Sequence, residues 1–527
     1  MNLNEIPYNS VDIYKNIIKD YLNDKAYLSK FYSNYPRISS FKDQIDIKNE
    51  QNIDRNILVS ELLAQYHTIE FKKKVHNNIL SLKKKNTFTV CSGHQLSLLT
   101  GPVYYIYKIL NTISICEKLN IKYKNYNFVP IFWMHTEDHD FEEINNFNFN
   151  NSKIKWDNCY ESFSVTGKMS TKSLEEVVDE LKLSDKNYSS IIDLLKNFYL
   201  KNNNLAESTR KILNYLFSDY GLIIIDPNSK TLKQQIIHLI ESDIINNSSK
   251  DIINKTTDLL GYSQAFARDI NFFYLHDNLR SRIIKEGNKY KVINTEFIFS
   301  EQEIKKKINE SPTSFSPNVL LRPLYQELIL PNLAVVGGQN EILYWLQLKQ
   351  LFKTHSISFP ILFLRNSAFI LNTRFNNYID NLKLSYLDFF EDENHIFKKF
   401  ISFNNKNDSH LSCYRTKIVK LYNEFKLFYD DEDIIRSINF ELKKNLRSFD
   451  NFERKILKYQ KNNFEKDLNR IKKIKYLFFP DNKPQERVIN FFQLCSEDNV
   501  NQKKIIYLLK NELDPFNNNL KIILIDN

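Results

Sequence analysis

Three carboxylates and one imidazole stand side by side in the segment that follows an apolar run at residues 127–134. The four residues are Glu137, Asp138, His139 and Asp140, and they come where a predicted strand ends. Crowded carboxylates raise each other's pKa, and a neighbouring imidazole can hold or accept a proton. These are the conditions for general acid–base catalysis, so we interpret the four as catalytic residues. A solvated loop is the alternative interpretation.

A metal site competes with this interpretation. His135 and His139 are four residues apart, as are the two histidines of the helical HExxH motif in zinc enzymes. However, no glutamate directly follows His135, and the segment continues a predicted strand instead of opening a long helix. We therefore predict no metal, and we rank a zinc-dependent hydrolase last among the functions considered.

Two glycine-containing loops supply candidate binding groups for a substrate or nucleotide. The first follows the apolar run at residues 87–91, and the second precedes an amphipathic helix. Free N–H groups at a helix start can receive a phosphate or carboxylate, and an arginine can hold a carboxylate through two parallel hydrogen bonds. The candidate binding residues are Ser92, Gly93, His94, Gln95, Thr100, Gly101, Arg322, Gln326, Gly337, Gly338 and Glu341.

Ordinary structure can also explain these loops. Strand-to-helix turns with glycine are common, and the chain has neither a Walker pattern nor GxGxxG. A salt bridge at the edge of the core would account for Arg322. From the residues alone, both explanations of these loops, ligand binding and ordinary structure, therefore stay open.

Four short apolar runs, separated by helix-like segments, lie where they can carry these loops. They occupy residues 87–91, 127–134, 222–225 and 359–364. Apolar strands that alternate with helices are typical of a parallel, doubly wound sheet, which binds ligands beyond the carboxyl ends of its strands. The sequence therefore predicts an α/β fold whose strands end in the candidate loops.

The last third of the chain has a different character. No glycine follows residue 338, and no proline occurs between residues 360 and 480, which fits long helices. Two columns of apolar residues recur there with heptad spacing: Ile435, Leu442, Phe449 and Ile456, and Ile438, Phe452 and Tyr459. This pattern predicts a coiled coil, whose long helix must pair within the chain or with a second subunit.

Composition excludes several classes of protein. The chain has 527 residues and 42% of them are hydrophobic, so it can bury large cores. Its five cysteines (Cys91, Cys116, Cys159, Cys413 and Cys495) never form a CxxC pair, which argues against zinc ribbons and a disulfide framework. No apolar run approaches the roughly 18 residues of a membrane span, and residues 1–15 do not read as a secretory signal. We predict a cytoplasmic protein without membrane contact.

The net charge of +10 is uneven along the chain. Residues 441–475 hold 12 Lys and Arg against five Asp and Glu, a local charge of +7 on a predicted helix. A solvated helix face is the simpler explanation, and contact with nucleic acid is the other. The acidic loop at residues 137–140 would repel phosphates beside it, so we do not expect nucleic acid to bind across that face.

Several short motifs occur in one order along the chain. They are Ser92-Gly93-His94-Gln95 with Thr100-Gly101-Pro102, Glu137-Asp138-His139-Asp140, Arg322-Pro323 with Gln326-Glu327 and Leu330-Pro331, Gly337-Gly338 with Glu341 and Tyr344-Trp345, and Gln485-Glu486-Arg487. In this order they resemble the BshC family, the cysteine-adding enzymes (cysteine ligases) of bacillithiol biosynthesis. The resemblance covers about residues 1–500, and His94 stands where a Gln is common in the family.

The resemblance implies a ligase that adds cysteine to the amino group of glucosaminyl-malate through an activated cysteine carboxyl. It also implies a Rossmann-like core that binds ATP or ADP, and a homodimer formed through the coiled coil. A function of another class is a non-catalytic nucleotide-binding module whose basic coiled-coil arm binds nucleic acid.

The pattern and the resemblance together divide the chain into five segments. We predict that residues 1-155 and 216-383 form the two parts of the Rossmann-like core. Residues 156-215 form an inserted helical connective segment, and the second part of the core carries a second insertion. Residues 384-480 form the helical coiled-coil domain, and residues 481-527 return to the core.

Overall fold

The computed structural model describes residues 5–67, 69–150, 152–157, 165–184, 187–277, 279–404, 411–497 and 501–525; Cys159 lies outside them. The strands, in chain order, are β1 (Glu5–Pro7), β2 (Thr87–His94), β3 (Asn127–Met134), β4 (Asn146–Phe149), β5 (Ser152–Lys155), β6 (Ile223–Ile225), β7 (Phe272–His276), β8 (Leu279–Glu286), β9 (Lys289–Val292), β10 (Ile298–Ser300), β11 (Phe315–Pro317), β12 (Asn332–Gly337), β13 (Ile361–Leu364), β14 (Ala368–Asn372) and β15 (Asn519–Ile525).

The α-helices are α1 (Asn16–Leu22), α2 (Phe41–Asn49), α3 (Arg55–Tyr66), α4 (Lys73–Ser81), α5 (Tyr104–Lys122), α6 (Leu174–Leu183), α7 (Ser189–Leu195), α8 (Leu205–Phe217), α9 (Lys230–Gln234), α10 (Ile237–Ile244), α11 (Ser248–Leu260), α12 (Glu301–Glu310), α13 (Arg322–Ile329), α14 (Gln339–Leu346), α15 (Lys349–Thr354), α16 (Thr373–Asn381), α17 (Glu393–Asn404), α18 (Leu411–Lys426), α19 (Glu432–Asn463), α20 (Glu465–Phe478), α21 (Phe491–Glu497) and α22 (Gln502–Glu512). Among the helices described, none is both long enough and apolar enough to cross a bilayer.

A five-stranded parallel sheet forms the centre of the first part of the chain. Its strand order is β13-β12-β2-β3-β6, and every neighbouring pair is parallel. The predicted parallel α/β fold is therefore confirmed. The chain runs from β2 outward to β3 and β6, and later returns to the other side of β2 for β12 and β13. The strand order thus reverses between β2 and β12, and a crevice opens at this switch point in such folds.

Apolar side chains on both faces explain why these segments form central strands. Phe88 and Val90 of β2, Phe128 of β3 and Val336 of β12 are buried in one core cluster, to which α5 contributes Leu119. Strands covered by helices on both faces lose nearly all contact with water, so continuous apolar runs are stable there. The sheet therefore gives a rigid edge from which polar loops can emerge.

Two insertions interrupt the parallel sheet. Between β3 and β6 the chain forms the β4–β5 hairpin and then helices α6 to α8. Between β6 and β12 it forms helices α9 to α12 and an antiparallel sheet in the order β10-β9-β8-β7-β11. The sequence predicts an insertion at residues 156–215 and a second one somewhere within residues 216–383, but no antiparallel sheet.

The chain folds as two compact units. The first comprises residues 1–368 and 486–521, and the second comprises residues 369–485 and 522–527. The finer boundaries at residues 155, 215, 383 and 480 stay predictions.

The second unit contains the predicted coiled coil. Helix α18 packs antiparallel on α19, where Asn445 Nδ2 donates a hydrogen bond to Tyr422 Oη at 2.7 Å and Arg415 Nε donates one to Asp450 Oδ1 at 3.4 Å. The first predicted column, Ile435, Leu442, Phe449 and Ile456, is half-buried along α19. Heptad spacing therefore predicted the helix pair correctly.

The second predicted column keeps only its first member on the buried side. Ile438 is half-buried, whereas Phe452 and Tyr459 are 52% and 74% exposed. The half-buried positions continue instead through Leu446 and Glu453. Leu446 and Glu453 each lie one residue beyond a heptad position of this column, so the predicted second column is wrong after Ile438.

Candidate functional site

The candidate residues on β2 and β3 meet at the switch point of the parallel sheet. Gly93 lies near the end of β2, and a Cβ atom added to it would stand 3.0 Å from Nε2 of His135, which directly follows β3. A side chain at residue 93 would therefore push against the imidazole. Glycine suits this position because the two strand ends approach each other closely.

A buried lysine joins the ends of β2 and β12. Lys108 Nζ donates a hydrogen bond to Gly93 O at 2.7 Å and another to Glu341 Oε2 at 2.8 Å. The Gly338 N–H donates to Glu341 Oε1 at 3.1 Å. The chain's own carboxylate thus occupies the N–H group of Gly338 that the sequence analysis assigned to an anion of the ligand. Burial lowers the pKa of Lys108, and the carboxylate of Glu341 opposes this effect.

Asp138 forms an ion pair with Arg322 in front of β3. Arg322 Nη2 donates a hydrogen bond to Asp138 Oδ1, and both side chains are about one-sixth exposed. Oδ2 of Asp138 lies 3.8 Å from Nδ1 of His135, which is too far for a hydrogen bond. Burial and the charges of Arg322 and Lys108 lower the pKa of His135, so this imidazole is neutral at neutral pH. Within the described ranges, this arrangement leaves Oδ2 of Asp138 available to a ligand.

His94 is also a neutral imidazole, with both ring nitrogens in use. Nδ1 lies 3.2 Å from Gln95 O, and Nε2 lies 3.1 Å from the hydroxyl of Tyr104. Because a carbonyl oxygen can only accept, Nδ1 of a neutral ring donates and Nε2 accepts from Tyr104. Burial, followed by the charge of Lys108, lowers the pKa of His94 to about 3.

Arg365, the residue after β13, completes this group of side chains. Its Nη2 donates to Glu486 Oε1 at 2.7 Å, and its guanidinium carbon lies 4.8 Å from the ring centroid of Tyr104. Its Nε is buried and has no hydrogen-bond partner in the described part of the chain, and a Cβ added to Gly338 would lie 3.9 Å from it. An unpaired buried donor costs about 1–3 kcal/mol, so this N–H is the clearest vacant donor for an anionic ligand beside Gly338.

Glu137 faces the interior and not the crevice. Lys233 Nζ donates a hydrogen bond to Glu137 Oε1, and Ser316 Oγ donates to Oε2 at 3.2 Å. Lys233 is fully buried and also donates to Phe315 O at 2.7 Å. Burial lowers the pKa of Lys233, and Glu137 opposes that shift. This ion pair fastens β11 to the loop after β3.

The other candidate residues are dispersed. Asp140 is exposed, and Gln95 donates to the Glu143 carboxylate. Ser92 and Thr100 are buried, and their hydroxyls have no partner among the described residues; Gln326 donates to Glu327 at 3.0 Å. The Gly101 carbonyl accepts a hydrogen bond from Asn490 Nδ2 at 2.8 Å. The structure therefore brings together His94, Gly93, Asp138, Arg322, Gly338 and Glu341, but not these six.

His135 and His139 do not converge as a metal site would require. His139 lies against Arg280, whereas His135 lies against Gly93 and Asp138. In the described ranges no three His, Cys, Asp or Glu side chains are grouped closely enough to hold a metal ion.

Five residues of these sites are not among the candidates predicted from the sequence: Tyr104, Lys108, Lys233, Arg280 and Arg365. A signal existed for Lys108, because it is a single charge within the apolar start of α5, and a lysine is almost never fully buried unless it is paired. Arg365 directly follows an apolar strand, as Glu137 nearly does. Charged residues just beyond buried strands are therefore the pattern to search for.

The neutral state of His94 predicts a pH dependence of stability. The unfolded chain binds a proton on this residue near pH 6.5, whereas the folded chain does so only near pH 3. The stabilising contribution is complete above pH 6.5 and is lost as the pH falls towards 3. Replacing His94 by Gln should lower the slope of unfolding free energy against pH in this window by up to about 1.4 kcal/mol per pH unit.

Urea unfolding of the wild type and His94→Gln at several pH values measures this slope. The variant keeps part of the dependence, because the pKa of His135 is lowered in the same direction. Equal slopes in the two proteins would mean that the fold does not hold His94 neutral.

Comparisons with known proteins agree on one family. Residues 1–366 match "Bacillithiol biosynthesis BshC, N-terminal Rossmann-like domain", and residues 368–525 match "Bacillithiol biosynthesis BshC, C-terminal coiled-coil domain". A Flavobacterium psychrophilum relative is 38% identical over 98% of both chains, and one from Flavobacterium johnsoniae is 38% identical over 99% of both. A Bacillus thuringiensis relative is 25% identical over 92% of this chain and 95% of its own. All three are named "Putative cysteine ligase BshC". The resemblance seen in the motifs is confirmed, and the chain belongs to the BshC family of bacillithiol biosynthesis.

Proposed function

We propose that this protein joins the carboxyl group of cysteine to the amino group of glucosaminyl-malate. The observation that carries the proposal is the group of side chains at the switch point, where Asp138–Arg322, Lys108–Glu341 and two neutral imidazoles surround the end of β2. This group combines a carboxylate that can take a proton with cations that can hold anionic substrates. The name cysteine ligase of the relatives supports the same reaction.

The carboxyl group of cysteine must be activated before an amine can attack it. We propose that ATP supplies a phosphoryl or adenylyl group, which turns one carboxyl oxygen into part of a leaving group. Residues that fit the anionic oxygens are present: Arg365 has an unpartnered Nε, and Lys108 lies against Gly93. These cations would stabilise negative charge without moving, because other parts of the chain already hold them.

We assign the proton of the attacking amine to Asp138. Its Oδ1 is fixed by Arg322, and in the described residues its Oδ2 makes no hydrogen bond. An oriented carboxylate with one available oxygen can accept the proton as the amide bond forms, and a positioned base contributes about 10²–10⁴-fold to the rate.

Arg322 is the proposed partner of the malate carboxylates. In the part of the chain described, only one of its five guanidinium N–H donors has a side-chain partner. In the proposal the Gly337-Gly338 turn also binds the malate carboxylates. It offers fewer N–H donors than its sequence suggests, because the Gly338 N–H already donates to Glu341. Arg365 Nε supplies a donor beside that turn.

Mass spectrometry of the purified protein incubated with cysteine and glucosaminyl-malate, with and without ATP, tests the proposal. We expect a product whose mass equals the two substrates minus one water, and only when ATP is present. Product formed without ATP would support the proposed substrates but would overturn activation by a nucleotide. No product in either case would overturn the ligase assignment under these conditions and favour the non-catalytic module.

We also propose that the protein is a cytoplasmic homodimer that associates through the coiled coil. Phe452 and Tyr459 are seven residues apart on α19 and face outward, and exposed apolar patches often mark interfaces. Sedimentation should show a dimer for the wild type and a folded monomer for the Phe452→Asp, Tyr459→Asp double variant. A dimer that survives both substitutions would place the interface elsewhere.

A further inference from the structure

A buried arginine fixes the proton of His139 on one ring nitrogen. Arg280 Nη1 lies 3.0 Å from His139 Nδ1 in hydrogen-bonding geometry. A guanidinium has five N–H donors and no acceptor, so Nδ1 must accept this hydrogen bond and carry no proton. In the neutral imidazole the proton then sits on Nε2. That nitrogen can donate a hydrogen bond but cannot accept one.

Arg280 is held too firmly to release His139 easily. Its Nε donates to Ser316 Oγ at 3.2 Å, and its Nη2 donates to Pro317 O at 3.1 Å. Its guanidinium carbon also lies 4.0 Å from the ring centroid of Phe273. Burial lowers the pKa of Arg280 to about 10, which leaves it charged at neutral pH. The N–H donor of Arg280 that faces Nδ1 is therefore fixed in place and charged at neutral pH.

The same environment keeps His139 neutral. Burial and the charge of Arg280 lower its pKa, and they outweigh Asp138 and Asp140, which act in the opposite direction. In the described residues Nε2 has no hydrogen-bond partner, and the half-buried side chain lies within the electrostatic influence of Asp138. The Nε2–H of His139 is therefore available as a hydrogen-bond donor near the proposed base, Asp138.

We propose that His139 donates a hydrogen bond from Nε2 to an anionic oxygen of the substrate. In this proposal Arg280 is the positioning residue that determines which ring nitrogen of His139 carries the proton. The inference rests on the proposed ligase function and deepens it, because it removes His139 as a base and leaves Asp138 in that role. It also assigns a role to Arg280, which the proposed reaction does not otherwise use.

The anionic oxygen has two sources in the proposed reaction. One is a carboxylate of the bound substrate. The other is the oxyanion formed when the amine nitrogen bonds to the activated carboxyl carbon and the π electron pair of C=O moves to oxygen. As C=O re-forms, the leaving group departs with its bonding pair, and the amine proton passes to Asp138. A donor at His139 stabilises either oxygen.

The protonation of the ring is measurable without any reaction. We expect the [15N]histidine-labelled full chain, assigned by comparison with His139→Gln, to show a protonated Nε2 and an unprotonated Nδ1 for His139 at neutral pH. Arg280→Lys should let both tautomers appear, because a flexible ammonium no longer holds Nδ1. A protonated Nδ1 in the wild type would overturn the proposal.

Two substitutions of His139 separate a donor from a base. Gln places an amide N–H near the position of Nε2 but cannot accept a proton, so His139→Gln should lose less than about tenfold in kcat/KM. His139→Ala removes the donor and should lose about 10²–10³-fold. If the hydrogen-bond partner is the oxyanion, the substitution should lower kcat. If the partner is a substrate carboxylate, the substitution should raise KM. Equal inactivity of the two variants would mark His139 as a base and overturn the proposal.

The two sets of results keep this proposal separate from the ligase assignment. A wild type that makes no product with ATP would contradict the ligase, while the tautomer of His139 would still be decided by the nitrogen spectrum. A wild type that makes product and carries its proton on Nδ1 would contradict the donor alone.

Discussion

Asp138→Asn is expected to lower turnover by about 10²–10⁴-fold while the protein stays folded. Asparagine keeps an oxygen that can accept the hydrogen bond from Arg322, so the geometry of the loop is preserved. It cannot take a proton from the attacking amine. Because both side chains of the ion pair with Arg322 are about one-sixth exposed, its loss should cost about 1–3 kcal/mol of unfolding free energy.

Initial rates with saturating substrates and urea unfolding measure these two effects in parallel. Glu142→Gln is the matched control, because it also removes a carboxylate from the loop after β3 but lies 77% exposed at its surface. We expect its rate to stay within about threefold of the wild type, as for a surface position away from the chemistry. A normally folded Asp138→Asn protein that keeps its rate would exclude Asp138 as the base.

Lys233→Met should give the largest loss of stability, about 3–5 kcal/mol. The substitution leaves Glu137 buried with a charge and without its cation, and among the described residues only Ser316 still donates to it. Lys233 also donates to Phe315 O, so β11 loses one of its attachments to the loop after β3.

The second variant isolates the charge effect. Adding Glu137→Gln to Lys233→Met removes the unpaired charge and should restore most of the lost free energy, to within about 1–2 kcal/mol of the wild type. Lys182→Met is the surface control, because its ion pair with Asp179 is exposed, and it should change stability by less than about 0.5 kcal/mol. A double variant as unstable as the single one would show that the lost lysine, not the unpaired carboxylate, carries the effect.

The apolar strands were the most predictable part of the fold. β3 has the bounds that its apolar run predicts, and the predicted strand at residues 222–225 differs from β6 by one residue. β12 was missed because its short run lies between Pro331 and Gly337-Gly338, which together read as a loop. β8 was missed because charged residues interrupt its apolar ones, as happens in an antiparallel sheet with one face in water.

The site was harder to predict because adjacent residues point in different directions. Glu137 and Asp138 are neighbours of the same type in sequence, yet one faces buried Lys233 and the other faces Arg322 at the crevice. Both residues lie in the loop beyond the end of β3, where the backbone turns, so neighbouring side chains need not face the same site. Their partners lie about 100 to 190 residues away, and sequence spacing contains no information about such pairs.

The crevice is assembled from parts of the chain that are made at very different times. Tyr104 comes from the start of α5, Arg365 follows β13, and Glu486, which pairs with Arg365, comes 121 residues later. Asn490 then fastens the turn at Gly101, almost 400 residues behind it. During synthesis on the ribosome, the parallel sheet can form well before these late residues emerge. Arg365 therefore lacks its carboxylate until the whole coiled-coil segment has been translated, and a nascent chain cannot hold a finished site before that point.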